Sequence, residues 1–316
     1  MRDSRIRSYR PKASFDITEE KEMMIKDTDF IDLPVFIKGK VRNVYDLGDS
    51  LLMIVTDRIS AFDVVFDELI PDKGKVLSSI SAFWFDYTKD IIPNHVITTD
   101  PREYPMGLDK YEKELKGRSM LVKKVDMLPA ECIVRGYLEG SALKEYKANG
   151  TVGGIRMPEG MVQGDKLPEP LFTPSTKEET GHDINITFEQ LKELLGEGDA
   201  TALKDAAIAL YNKVSEFALT KGLILADTKF EFGKIDGKLV VADEMFTPDS
   251  SRFWDVNDYE PGHAQKSFDK QYLREWLETL DWDKTYPAPT LPEEVINKTA
   301  EKYRECYSRI TGKEIE

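Results

Sequence analysis

Apolar and charged residues alternate along LADTKFEFG at 225–233. In a strand, successive side chains point to opposite faces, so Asp227, Lys229 and Glu231 share one side and Thr228, Phe230 and Phe232 the other. The turn sequence GKIDG and the apolar run KLVVADE follow, a hairpin signal. A second hairpin is expected over 41–56, where VRNVYDL and SLLMIVT flank Gly48-Asp49. Helical spacing of Val76, Ile80, Phe83, Trp84 and Tyr87 predicts an amphipathic helix over 73–92. Strands are expected at SMLVKKV (119–125) and AECIVRG (130–136), and the linker DMLP between them marks a domain boundary, giving units 1–125 and 126–316. The stretch 148–182, rich in Gly, Pro, Thr and Glu, reads as a long loop excursion. Thr187 with Gln190 forms a capping box. A helix over about 200–221 follows, stopped by Gly222, and two more are expected at 267–280 and 292–310. Hairpins and helices mix without βαβ alternation, which defines an α+β class.

The chain has 316 residues, 41% hydrophobic and 32% charged, enough for a large core and two domains. Its formal charge of −14 argues against a nucleic-acid or membrane-surface binder, since both need a basic footprint. No apolar run is long enough to span a bilayer, and the charged N-terminus is not followed by a signal-like apolar stretch. Two cysteines, Cys132 and Cys306, suit neither a disulfide framework nor a zinc site. The cytoplasm is the expected setting.

The charged strand face has two readings, a solvated edge with a cross-strand Lys–Asp pair or a built site. Turn length decides which residues face one another. A two-residue Asp236-Gly237 loop pairs Ile235 with Lys238 and sends Asp243 to the Phe230 face. A three-residue Ile235-Asp236-Gly237 loop pairs Lys234 with Lys238 and places Asp243 opposite Lys229 and diagonal to Glu231. In that register Glu231 and Asp243 can reach one magnesium ion. The crowded MFTPDSSRFW that follows weighs against a plain solvated edge.

Phosphate-handling candidates lie elsewhere. In KGKVRNVYDLGD, Gly39 stands between Lys38 and Lys40 with Arg42 two residues further along a strand, yet no Walker A or GxGxxG pattern is present. In VRGYLEGSALKEY, Arg135 precedes Gly140-Ser141 at a helix start, a ready phosphate site or simply a capped helix. TDRISAFDVVFDE brings Asp57, Arg58, Ser60 and Asp63 into one polar loop, and His182-Asp183 lie in the long excursion.

Together, GKVRNVYDLGD, TDRISAFD, LVKKVDMLPAECIVRGYLEGS, EPLFTPSTKEETGHDINIT, LADTKFEFG, DEMFTPDSSRFW and SFDKQYLREWL closely resemble the SAICAR synthetase family. The resemblance implies an ATP-dependent ligase of purine biosynthesis. It would join L-aspartate to carboxyaminoimidazole ribonucleotide (CAIR), through an acyl phosphate, to give the succinocarboxamide SAICAR, ADP and phosphate. It implies an antiparallel N-terminal lobe resembling that of protein kinases, a larger α+β domain, and ATP in the cleft between them. By position, it assigns Gly39, Lys40, Arg42, Lys123, Met127 and Glu131 to ATP, and Glu231 and Asp243 to Mg2+. It assigns Ser60, Arg135, Ser141, Arg252, Lys270 and Arg274 to the substrate, and Lys229, Asp227 and Asp63 to catalysis. Lys177, His182 and Asp183 fall in the loop near the aspartate and imidazole sites, without individual roles. At the signature around Arg135, Ala130 and Glu139 depart from the family's usual residues. Self-association and the role of the first 30 residues stay open. The kinase motifs HRD and DFG are absent, and intact Lys40, Glu231 and Asp243 oppose a decayed, non-catalytic cleft.

Overall fold

The computed structural model describes residues 24–177, 184–268 and 270–316. Strands β1 (Val35–Lys38), β2 (Arg42–Asp46) and β3 (Ser50–Val55) run antiparallel. β4 (Arg58–Ala61) and β5 (Val64–Leu69) form a separate ribbon. β6 (Val96–Thr98) and β7 (Ser119–Lys123) complete the first sheet in the order β1-β2-β3-β7-β6. The expected hairpin at 41–56 is present, and its turn needs Gly48 at φ 89°. Gly39 sits where the chain doubles back: its N–H donates to the Arg42 carbonyl at 2.8 Å, and a Cβ there would meet that oxygen at 2.9 Å.

Helix α1 (Lys73–Tyr87) follows the ribbon and buries Val76, Ile80 and Trp84 completely. Its apolar stripe joins the first sheet to the second, so both sheets share one continuous core.

The second sheet begins with β8 (Asp126–Tyr137), and the short pair β9 (Thr151–Val152) and β10 (Ile155–Arg156) forms a ribbon of its own. β11 (Lys166–Phe172), β12 (Ser175–Thr176), β13 (Leu223–Ile235), β14 (Lys238–Ala242) and β15 (Ser251–Asp255) follow. Its order is β11-β8-β13-β14, with β12 on β8 and β15 on β13. Two expectations change here. DMLP is not a linker but the first part of β8. Pro129, which has no N–H to donate, is accommodated near a register shift between Glu231 and Gly233 of β13. The stretch 148–182 is not structureless either: through residue 177 it carries β9 to β12, because Leu167, Leu171 and Phe172 bury their side chains.

Helix α2 (Gly140–Asn149) opens the pocket side of this sheet. Helices α3 (Phe188–Leu195), with the expected Thr187–Gln190 capping box, and α4 (Glu197–Thr220) lie C-terminal to it. α4 buries Leu203, Ala207, Leu210 and Val214 in the same core as Phe230 and Phe232. Phe230 meets Phe246 edge-on at 4.9 Å, which fixes the apolar back of β13 and so aims its charged face the other way. Helices α5 (Gln271–Glu278) and α6 (Glu293–Thr311) return to the first half: Leu273, Leu277 and Leu291 pack with Ile59, Phe66 and Ile70 of the ribbon region.

The β13–β14 turn has two residues, not three. Ile235 pairs with Lys238, and Asp236 and Gly237 both take positive φ, 51° and 74°, as a type I′ turn requires. Lys229 therefore does not face Asp243. Simple alternation in this register would send Asp243 to the Phe230 side, but β14 ends at Ala242 and Asp243 adopts φ 64°. Asp243 lines the same cavity as Glu231. The left-handed residue restores a juxtaposition that the register alone would lose.

Candidate active site

A cavity of about 680 Å3 lies between the two sheets, in the size range of small-molecule sites. Phe36, Ile37, Val44, Leu51, Met53 and Val122 give it apolar walls, with Lys123 and Met127 at one edge. Gly39, Lys40, Arg42, Lys177, Glu231 and Asp243 give it a charged end. Phe36 and Ile37 are about half exposed on an edge strand, an apolar surface ready to cover a flat ligand.

Every acidic group at the charged end faces a cation. The Arg42 guanidinium holds Asp243 and lies 3.4 Å from Glu244, and the Lys177 ammonium holds Glu231. Burial opposes the Arg42 charge, but Asp243 and Glu244 outweigh it and raise the pKa. Burial and then the neighbouring Asp243 push Glu231 up, opposed by Lys177. Asp243 shifts down, because Arg42 and Lys177 overcome its burial. Two carboxylates close enough to raise one another's cost of ionisation favour a shared cation. Among the described residues no three His, Cys, Asp or Glu side chains form a metal cage. The pair Glu231 and Asp243 fits an ion such as Mg2+, which is held by one or two carboxylates with water and ligand phosphates completing its shell.

A second cavity, of about 510 Å3, contains Asp63, Ser141, Lys144, Arg252 and Arg274. Behind it, buried Asp227 bonds both Arg252 and Arg135, whose Nη1 lies 3.3 Å away. Arg135 also donates to Ser141 Oγ at 2.8 Å and to Thr173 Oγ1 at 2.9 Å. This fork sets Ser141 at the first turn of α2, where free backbone N–H groups and the helix dipole favour an anion. Pairing explains the convergence: Asp227 lies opposite Arg135 on β8 and opposite Arg252 on β15. The Lys40–Asp63 ion pair connects the two cavities, one partner in each lining.

Lys229 stands between Asp227 and Glu231 on one face of β13, and its ammonium holds buried Glu131. Burial works against the Lys229 charge, but Glu131 more than offsets this and raises the pKa, so the amine is protonated at neutral pH. Glu131 is thus tied to Lys229 and falls outside the lining of the larger cavity. Ser60 and Lys270 line neither cavity. Lys270 lies 3.1 Å from Asp249, which also takes buried Lys73 at 3.0 Å and the Tyr303 hydroxyl. His182 and Asp183 lie outside the described residues.

Sequence reasoning missed Glu244, Asp249, Lys73 and His95. Glu244 carried a signal, a second acid directly after Asp243; Lys73 had none, since its burial depends on helices from both ends of the chain. His95 lines the larger cavity at 3% exposure, and its Nε2 has no hydrogen-bond partner among the described residues. Burial pushes its pKa down from 6.5 to about 4, against the pull of Asp243. The unfolded chain therefore binds this proton near pH 6.5 and the folded chain only near pH 4. The stability conferred by neutral His95 is complete above that window and is lost as pH falls through it. Urea unfolding should show the native chain losing about 2 kcal/mol more than His95→Gln between pH 7.5 and 5. Equal losses would show that His95 titrates normally.

The chain matches the SAICAR synthetase family over residues 35–289. A phosphoribosylaminoimidazole-succinocarboxamide synthase of Geobacter sulfurreducens is 58% identical over 293 residues, covering 92% of this chain and 99% of the relative. The solved SAICAR synthase of Saccharomyces cerevisiae in complex with SAICAR superposes with TM-score 0.81 at 40% identity, covering 89% of this chain and 96% of that one. A SAICAR synthetase solved with ADP gives TM-score 0.66 at 27% identity, covering 90% of this chain and all (100%) of that one.

Proposed function

Because this chain belongs to the SAICAR synthetase family, we propose that its larger cavity holds ATP, its second cavity CAIR, and the β13 face between them the reacting groups. The reaction is the ATP-dependent joining of CAIR and L-aspartate to form SAICAR in purine biosynthesis. One observation carries the placement: Asp227, Lys229 and Glu231 lie in line along one strand, with the outer two tied to different cavities. Four residues of strand span roughly 13 Å. That distance separates a ribonucleotide phosphate near Arg135 and Ser141 from a nucleotide triphosphate near Lys40.

The CAIR carboxylate oxygen attacks the γ-phosphorus; the bond to the β-phosphate oxygen breaks and ADP leaves. The aspartate amine then attacks the acyl carbon, loses a proton and expels phosphate. Neither step requires a side-chain nucleophile; both require alignment and charge neutralisation. Lys40, paired with Asp63, and Lys229, paired with Glu131, bring positive charge toward the transferred group, and Arg42 lines the same cavity as Lys40 while orienting Asp243 and Glu244. Glu231 and Asp243 would hold Mg2+, which neutralises phosphate charge. Phe36 and Ile37 would cover the base. Cys132 and Cys306, both buried and neither in a disulfide, suit a reducing cytoplasm, and no helix among the described residues is long and apolar enough to cross a membrane.

Incubation with ATP, magnesium and aspartate, with and without CAIR, tests the reading. ADP release is expected only when CAIR is present. Release indifferent to CAIR would overturn it.

A further inference from the structure

Helix α2 opens at the second cavity on an unusual cap. The residues preferred at an N-cap are Ser, Thr, Asp and Asn, whose short side chains accept from the second or third helical N–H. Here the cap is Glu139, one methylene longer than Asp. Its Oε1 accepts instead from the first helical N–H, that of Gly140, at 3.1 Å, and from Gln163 Nε2 at 2.9 Å. Its Oε2 is buried and has no hydrogen-bond partner among the described residues. Glu139 lines the cavity, and the Arg252 guanidinium lies directly on Gly140, 2.9 Å from where a Cβ would stand. A carboxylate therefore already occupies the N-terminus of α2, where helix geometry favours an anion.

Its charge decides the balance. Among the described residues the lining holds three carboxylates, Asp63, Glu139 and Glu278, against three cations, Lys144, Arg252 and Arg274. Arg135 and Arg252 are further committed to Asp227. With Glu139 ionised these six charges cancel; without it their sum is positive. We infer that Glu139 is an affinity-setting residue, a built-in anion at the start of α2 that competes with the phosphate monoester of the ribonucleotide for the helix N-terminus and weakens its binding. An incoming phosphate gains the Gly140 N–H only if the carboxylate gives it up, and otherwise binds beside a like charge.

This rests on the second cavity taking the ribonucleotide phosphate, so the test separates the two claims. Calorimetric titration of the full chain with CAIR would compare the native chain with Glu139→Gln, Glu139→Thr and Ser141→Ala, with thermal unfolding to verify folding. Glu139→Gln keeps an oxygen for the Gly140 N–H and removes only the charge. Both Glu139 variants are expected to bind CAIR roughly five- to tenfold more tightly, with the gain shrinking as salt rises. ADP affinity, read in the same way, is expected to stay constant. Ser141→Ala is expected to weaken CAIR binding. If Ser141→Ala weakens it while Glu139→Gln leaves it unchanged or weaker, Glu139 is not a competing anion; a weaker value would make it a ligand contact. If Ser141→Ala has no effect, the phosphate lies elsewhere and the placement of CAIR fails with it.

Discussion

Glu231→Gln is expected to lower turnover by about a thousandfold or more while CAIR binds within about twofold of the native value. Gln has nearly the same volume, and the position is pinned from both sides, by Glu131 of β8 and Ala242 of β14. Nothing in the fold requires the charge. Burial and Asp243 already push the Glu231 pKa up, so its ionised form carries a cost that Gln removes, and the variant should unfold no more easily than the native chain. What disappears is half of the carboxylate pair at the charged end of the larger cavity. The Lys177 ammonium also loses its counter-charge there. The proposed phosphate grip around Asp227 and Arg135 is about four residues away along β13, which is why CAIR affinity should hold. Single-turnover rates at saturating magnesium, set beside calorimetric CAIR binding, read both quantities. A rate within tenfold of the native one would remove Glu231 from the metal site.

That prediction began as a pattern in the sequence, and the way it survived shows what was legible. Alternation put Asp227, Lys229 and Glu231 on one face and Phe230 and Phe232 in the core, because strand periodicity is a property of the backbone itself. Turn length was read wrongly. Asp236-Gly237 makes a two-residue turn, yet Asp243 still reaches the Glu231 cavity because its own backbone is left-handed. No local rule announces a left-handed Asp two residues beyond Val241; the crowded segment after it imposes that conformation. Arg42 illustrates a second limit. A basic residue in a glycine loop reads as a phosphate ligand, and Arg42 does line the larger cavity, but its pairing with acids 201 and 202 positions later in the chain has no local signal. Lys73 and Asp249 are more distant still from local inference, since their burial follows from α6 closing over α1. Contacts formed by one element with itself were legible; partnerships fixed by topology were not.

Arg135→Ala should act on the other cavity and on binding rather than on chemistry: the KM for CAIR is expected to rise about a hundredfold, with the KM for ATP little changed. The guanidinium makes three directed contacts, to Thr173, Ser141 and Asp227, and each loses its donor in the variant. Asp227 keeps Arg252, so the buried carboxylate is not left bare and the chain should fold, at a cost within the roughly 3–5 kcal/mol typical of breaking a buried ion pair. Ser141 fares differently. Without Arg135 its hydroxyl is free to turn, and the first turn of α2 loses the group that holds it toward the cavity. Arg135→Lys separates charge from geometry. A lysine restores one positive charge but cannot donate to three partners in one plane, so it should recover only part of the lost affinity. Full recovery by lysine would show that the site needs only charge. An unchanged KM for CAIR in Arg135→Ala would show that the β8–β13–β15 arginine fork is structural and that the phosphate is gripped by other groups.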